Sequence, residues 1–192
     1  MRIDTFSSET GVVFDRKLWN ELCSLRFLDH ARGALILGPV GVGKTHLATA
    51  LGHIAIRRRR SVLFARADQL FRQLKAARLG NSVEAGMRCL ARVELLVLDD
   101  FALQGMDQVQ TADFHELIVE RHQKTATILT SNRDPSEWIA LMSDPLLAQS
   151  ASTGSWPAAT SSSSKESPTA AANAALNAMD ADPTGHPAAT RQ

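Results

Sequence analysis

Apolar and polar positions alternate between two periods along the first 142 residues, and the change of period marks the elements. Ala34 to Leu37 is a short apolar run flanked by Gly33 and Gly38, which predicts a buried strand. After Lys44, the apolar residues Leu47, Ala48, Leu51, Ile54 and Ala55 recur at helical spacing. The same reasoning predicts helices over 15–28, 44–58, 67–79, 82–91, 108–123 and 135–142, and strands over 34–37, 61–65, 94–99 and 126–130. Asp15, Asn81-Ser82 and Asp134-Pro135 are suited to helix starts. Strands alternating with helices predict an α/β fold, a parallel sheet covered by helices on both faces.

From Ala151 onward the pattern disappears. The only large apolar residues to Gln192 are Trp156, Leu176 and Met179, set among Ala, Ser, Thr, Pro and Gly with the run Ser161 to Ser164. Such a segment buries too little surface to offset its ordering entropy, so 1–150 is expected to be the folded core and 151–192 a disordered tail. The 192 residues carry 21 Lys and Arg against 20 Asp and Glu, so any nucleic-acid surface must be a local patch. Cys23 and Cys89 lie far apart without metal-ligand spacing and read as free thiols in a reducing compartment. With no basic start before a long apolar stretch and no 18-residue apolar run, the expectation is a cytoplasmic protein that does not enter the membrane.

Two stretches carry chemistry. Gly38-Pro39-Val40-Gly41-Val42-Gly43-Lys44-Thr45 fits G-x-x-x-x-G-K-[ST] and falls between a predicted strand and a predicted helix, where a phosphate-binding loop belongs. Glycines let backbone N–H groups turn towards phosphates, and the helix N-terminus adds partial positive charge. Lys44 would reach the β- and γ-phosphates, and the Thr45 hydroxyl would ligate Mg²⁺. The second stretch, Leu95 to Asp100, is an apolar strand ending in two acids, the pattern of a Walker B element. Asp99 would hold Mg²⁺ and Asp100 would orient an attacking water. Asn132, after the strand ending at Thr130, would contact the γ-phosphate or that water if its strand lies between the other two; otherwise it is an ordinary turn residue. Asn132-Arg133-Asp134-Pro135 is not the N-K-x-D of a GTPase. The expected cofactors are ATP and Mg²⁺. The nucleotide-binding set comprises loop residues Gly38 through Thr45, His46 behind them, and Asp99, with Lys44, Asp100 and Asn132 as candidate catalytic residues. The side chains of His46 and His53 lack ligand spacing and read as packing groups.

These motifs, with Leu47 to His53, Leu74 to Leu79, Glu120-Arg121-His122, Thr130 to Arg133 and Asp144 to Ser150, resemble the IstB-like ATP-binding proteins over roughly residues 10–150. Those proteins are transposition helpers of insertion sequences, AAA+ P-loop ATPases related to the DnaC helicase loaders. The resemblance implies a three-layer α/β/α fold and an ATP-dependent homo-oligomer that assembles on DNA, assists a transposase and is switched by ATP hydrolysis. It also implies a region before the core, so the chain reads as shortened at its N-terminus. After Ser150 the family continues with A-x-D-R-L and then H-E-L-V-x-E-G-x-S-Y-R, which supply an arginine finger, the last strand of the sheet and a second sensor arginine; here the Ala/Ser tail stands instead. Permitted codons for Ala151 to Ala159, read two bases later, give V-D-R-L-V-A-S-G, and the single tryptophan codon of Trp156 fits. A frameshift near Ser150 is therefore expected, leaving a sheet that lacks its last strand, an exposed edge on the 34–37 strand and impaired hydrolysis.

Basic residues suggest where DNA would lie. Arg57 to Arg60 close a helix, where cations complement the helix end without any ligand. Arg72, Lys75 and Arg78 fall on one arc of the 67–79 helix, opposite Leu70 and Leu74. In related initiator ATPases this region faces DNA, although a solvated charged face is the commoner explanation of such a stripe. A DnaC-like helicase loader shares the same chemistry. From other classes, a small-molecule P-loop kinase would need an Arg-rich lid, which is not evident, and an inert fragment would not fold.

Overall fold

The computed structural model describes residues 16–143 and 158–160. Asp15 and the stretches 144–157 and 161–192 lie outside the described residues, and with them most of the expected disordered tail. The elements are α1 (Arg16–Ser24), α2 (Arg26–Asp29), β1 (Ala34–Leu37), α3 (Lys44–Arg57), β2 (Val62–Arg66), α4 (Ala67–Leu79), α5 (Val83–Arg92), β3 (Leu95–Asp99), α6 (Gln108–Arg121), β4 (Ala126–Ser131), α7 (Pro135–Leu141) and β5 (Ala158–Thr160).

The sheet is parallel throughout, in the order β2-β3-β4-β1-β5. Every residue of β3 and β4 is buried, as central strands covered on both faces must be. Because successive side chains alternate across a strand, β3 feeds two cores. Leu95 and Val97 join Ile36, Ile128, Leu47, Leu51 and Ala55 under α3, whereas Leu96 and Leu98 join Leu70, Phe71, Phe114 and Trp138 under α4 to α7. Phe101 stands in the second core, 4.9 Å from the ring of Trp138 and 4.4 Å from that of Phe114, which anchors the chain just beyond β3.

Local signals account for the helix starts. Asp107 and Gln110 form a capping box on α6, and Asp134 and Glu137 form another on α7 with a proline in its first turn. Two expectations need correction. The helix expected over 15–28 breaks at Leu25, whose left-handed φ of 60° starts the separate α2; Leu25 is buried, so the turn lets Leu22, Leu25 and Phe27 reach one core. The expected missing last strand and open β1 edge are also not found. Backbone from the Ala/Ser segment pairs Leu35 to Leu37 of β1 with Ala158 to Thr160. Unpaired N–H and C=O groups on a strand edge recruit whatever extended chain lies within reach, and pairing through the main chain does not require the apolar side chains this segment lacks. Among the described residues, no helix is long and apolar enough to cross a membrane.

Candidate functional site

The loop between β1 and α3 runs along the carboxyl ends of the strands, the end at which open parallel sheets bind ligands. Gly41 and Gly43 have φ of 88° and 89°, a left-handed conformation that other residues adopt only with strain. Gly43 is the residue from which α3 starts. The Gly38 N–H donates to the Ser131 carbonyl at 3.2 Å, tying the loop to the end of β4. Val42 is buried beneath the loop and Val40 stands 80% exposed at its tip.

β4 lies between β1 and β3, so the polar ends of all three strands meet. A cleft of about 610 Å³ is lined there by Gly41, Gly43, Lys44, Thr45, Asp100 and Asn132, together with Val40, His46, Thr49 and Leu103. The Lys44 ammonium is buried and donates to the Pro39 carbonyl at 2.9 Å. Burial pulls it below the usual lysine value, against the opposing pull of Asp100 and Asp99. The Thr45 hydroxyl donates to the Asp99 carboxylate, 2.9 Å from Oδ2. Pro39 flanks the cleft through this carbonyl rather than lining it. His53 is exposed on α3, not a packing group, because its position on the helix faces away from the sheet.

Two residues with no assigned role in the sequence reading complete the arrangement. Thr130, fully buried on β4, donates from Oγ1 to Asp99 Oδ1 at 2.6 Å and accepts from the Asp100 N–H at 3.0 Å. One hydroxyl thus orients both acids. Asp100 itself has a φ of 54°, tolerated by Asp better than by most residues, and the next N–H, of Phe101, donates to the Thr130 carbonyl at 2.8 Å. The second residue is Arg66, at the carboxyl end of β2, 3.8 Å from Asp100 and 3.4 Å from Asp68. A hydroxyl ending an apolar strand was the only sequence signal for Thr130; Arg66 becomes a neighbour of Asp100 only because β2 pairs with β3, with Arg66 opposite Asp99.

The donor set suits Mg²⁺. Thr45 and Asp99 offer a hydroxyl and a carboxylate in contact, and a small hard cation bound with a nucleotide takes its remaining oxygens from phosphate and water. Among the described residues no cluster of three His, Cys, Asp or Glu side chains could hold a metal without such help.

The basic stripe is exposed on α4, but each member has an acid partner. Arg72 pairs with Asp68 at 2.9 Å one helical turn back, Lys75 with Asp107 at 2.7 Å, and Arg78 with the buried Asp113 of α6. Lys75 and Arg78 therefore bridge α4 to α6, and their side chains keep substantial exposure on the outer side.

A protein of insertion sequence IS232 from Bacillus thuringiensis subsp. berliner, named for ATP binding, is 34% identical over 146 residues, covering 76% of this chain and 58% of that protein. The corresponding protein of insertion sequence IS21 from Pseudomonas aeruginosa is 36% identical over 143 residues, covering 74% and 53%. The matched stretch spans little more than half the length of these relatives. Among solved structures, DnaI aligns with a TM-score of 0.65 at 23% identity, over 78% of this chain and 82% of that one. The replication initiator DnaA bound to AMPPCP and single-stranded DNA aligns with a TM-score of 0.62 at 24% identity, over 74% and 45%. Both show the fold, that of the AAA+ P-loop proteins. The family model for the IstB-like ATP binding protein matches residues 3–151, and the chain belongs to that family.

Proposed function

We propose that this chain binds ATP with Mg²⁺ in the cleft at the carboxyl ends of β1, β3 and β4, and works on DNA as a helper of an insertion-sequence transposase. The observation that carries the nucleotide reading is the contact of Thr45 with Asp99, residues from the two motifs, beside the buried Lys44 ammonium. In this reading the loop N–H groups from Gly41 to His46 cradle the phosphates, and Lys44 exchanges the Pro39 carbonyl for the β- and γ-phosphates. Thr45 and Asp99 would hold the metal, which would supply positive charge beside the phosphates. Asp100 and Asn132 face the same cleft and orient the attacking water. The family's D-R and S-Y-R arginines have no counterpart after Ser150, and loss of a trans arginine lowers phosphoryl transfer by about 10³ to 10⁵ in related systems, so hydrolysis is slow. The relatives named for insertion sequences support the transposition setting, and the exposed Arg72, Lys75 and Arg78 of α4 are the phosphate-contacting face in this reading.

Titration calorimetry tests the nucleotide reading: Lys44→Ala should abolish binding of ATP with Mg²⁺, and equal affinities for the two proteins would refute it. For DNA, a gel-shift titration with and without ATP is decisive. Duplex binding that strengthens with ATP is expected, and no retardation under either condition would overturn the assignment.

A further inference from the structure

A second cavity, of about 400 Å³, opens at the other end of the sheet, where β1 and β4 begin. It is lined by His30, Arg32, Arg121, His122 and Thr127 among others, with no acidic side chain in its wall. β1 is four residues long, so about 13 Å of strand separates this cavity from the phosphate loop.

Arg60, Arg66, Arg72, Lys75 and Arg78 all pair with carboxylates. Arg32, His30 and His122 have no acid partner among the described residues, and Asp29, next to His30, is engaged by Arg60. Behind them Arg121 is almost wholly buried and meets only neutral oxygens: Thr127 Oγ1 at 2.8 Å, the Val93 carbonyl at 2.9 Å, and the carbonyls of Leu90 and Ala126. Those bonds use four of its five N–H donors. Burial with no countercharge pulls this guanidinium down to about 10. A cavity whose wall carries two guanidinium groups, two imidazoles and a threonine hydroxyl, and no carboxylate, matches an anion with several acceptor oxygens.

We propose that this cavity is a phosphate-binding site, separate from the nucleotide cleft, in which Arg32 and the two imidazoles contact the anion and Arg121 supplies charge from behind. The phosphate is either a free anion or part of a nucleic-acid backbone.

The test uses the full chain carrying Lys44→Ala, which silences the nucleotide cleft. Inorganic pyrophosphate is titrated while the imidazole resonances of His30 and His122 are followed by NMR. Saturable shifts of both are expected, and adding Arg32→Ala should weaken the affinity about tenfold or more, the loss of one charge-assisted hydrogen bond. Arg32 is only partly buried, so this variant should unfold at the same denaturant concentration as its parent. Resonances that do not move, or an affinity indifferent to Arg32→Ala, would overturn the proposal. A thymidine oligonucleotide then identifies the source. Equal shifts that pyrophosphate reverses by competition make the site a DNA-backbone contact; shifts with pyrophosphate alone make it a site for a free anion.

Discussion

Replacing Thr130 by valine would keep the shape of the buried side chain and remove the hydroxyl that joins the two acids. Two hydrogen bonds are lost together: the one from Oγ1 to Asp99 Oδ1 at 2.6 Å, and the one from the Asp100 N–H to Oγ1 at 3.0 Å. A hydrogen bond to a charged group contributes about 1.5–3 kcal/mol, and a stranded buried donor costs about 1–3 kcal/mol. The two share one hydroxyl and are not additive, so about 2–4 kcal/mol is expected, a sizeable share of a total of roughly 5–15 kcal/mol. Thr130→Ser supplies the contrast. It retains the hydroxyl and loses one methyl, about 1 kcal/mol at a fully buried position. If packing alone mattered the order would reverse, since valine fills the space and suits a strand better than serine. Urea denaturation followed by far-ultraviolet circular dichroism gives both values from the shift in midpoint. A Thr130→Val protein as stable as Thr130→Ser, or more so, would refute the hydroxyl-bridge account.

The acids should separate by function: Asp99→Asn should weaken the Mg²⁺ dependence of ATP binding, Asp100→Asn should spare binding and lower turnover, and identical metal dependence in calorimetry would remove the assignment. Arg72→Ala with Lys75→Ala should reduce the salt slope of DNA binding by up to about 2; an unchanged slope with measurable binding would return the stripe to solvated surface. Lys75, and after it the Gln110 N–H, hold the Asp107 carboxyl below the usual carboxylate range. A depressed folded-state value stabilises the fold above the unfolded-state value of about 3.9 and ceases to do so as pH falls through the folded value. Stability measured from pH 6 down to 2 (about 4 units around that value) should therefore fall less steeply in Asp107→Asn than in the parent. Truncation after Ser150 removes β5 and bares the β1 edge, so light scattering should show concentration-dependent association absent from the full chain.

Much of the candidate nucleotide site lies in contiguous motifs, so its chemistry is local. The loop from Gly38 to Thr45 and the acids at Asp99 and Asp100 are contiguous motifs, and the strands that carry them are short apolar runs whose burial follows from their composition. The helix start at Asp134 is equally local, closed by a side chain three residues away. Strand order was not local. Whether Asn132 meets the loop depended on β4 entering between β1 and β3, and Arg66 reaches Asp100 only through the pairing of β2 with β3. The basic stripe on α4 was visible from helical periodicity, but its acid partners Asp107 and Asp113 lie 32 and 35 residues away on another helix. The β1 edge shows the limit most clearly. Side-chain composition argued against any strand in the Ala/Ser segment, yet main-chain groups are common to all residues, and an open edge strand selects a partner by position rather than by sequence.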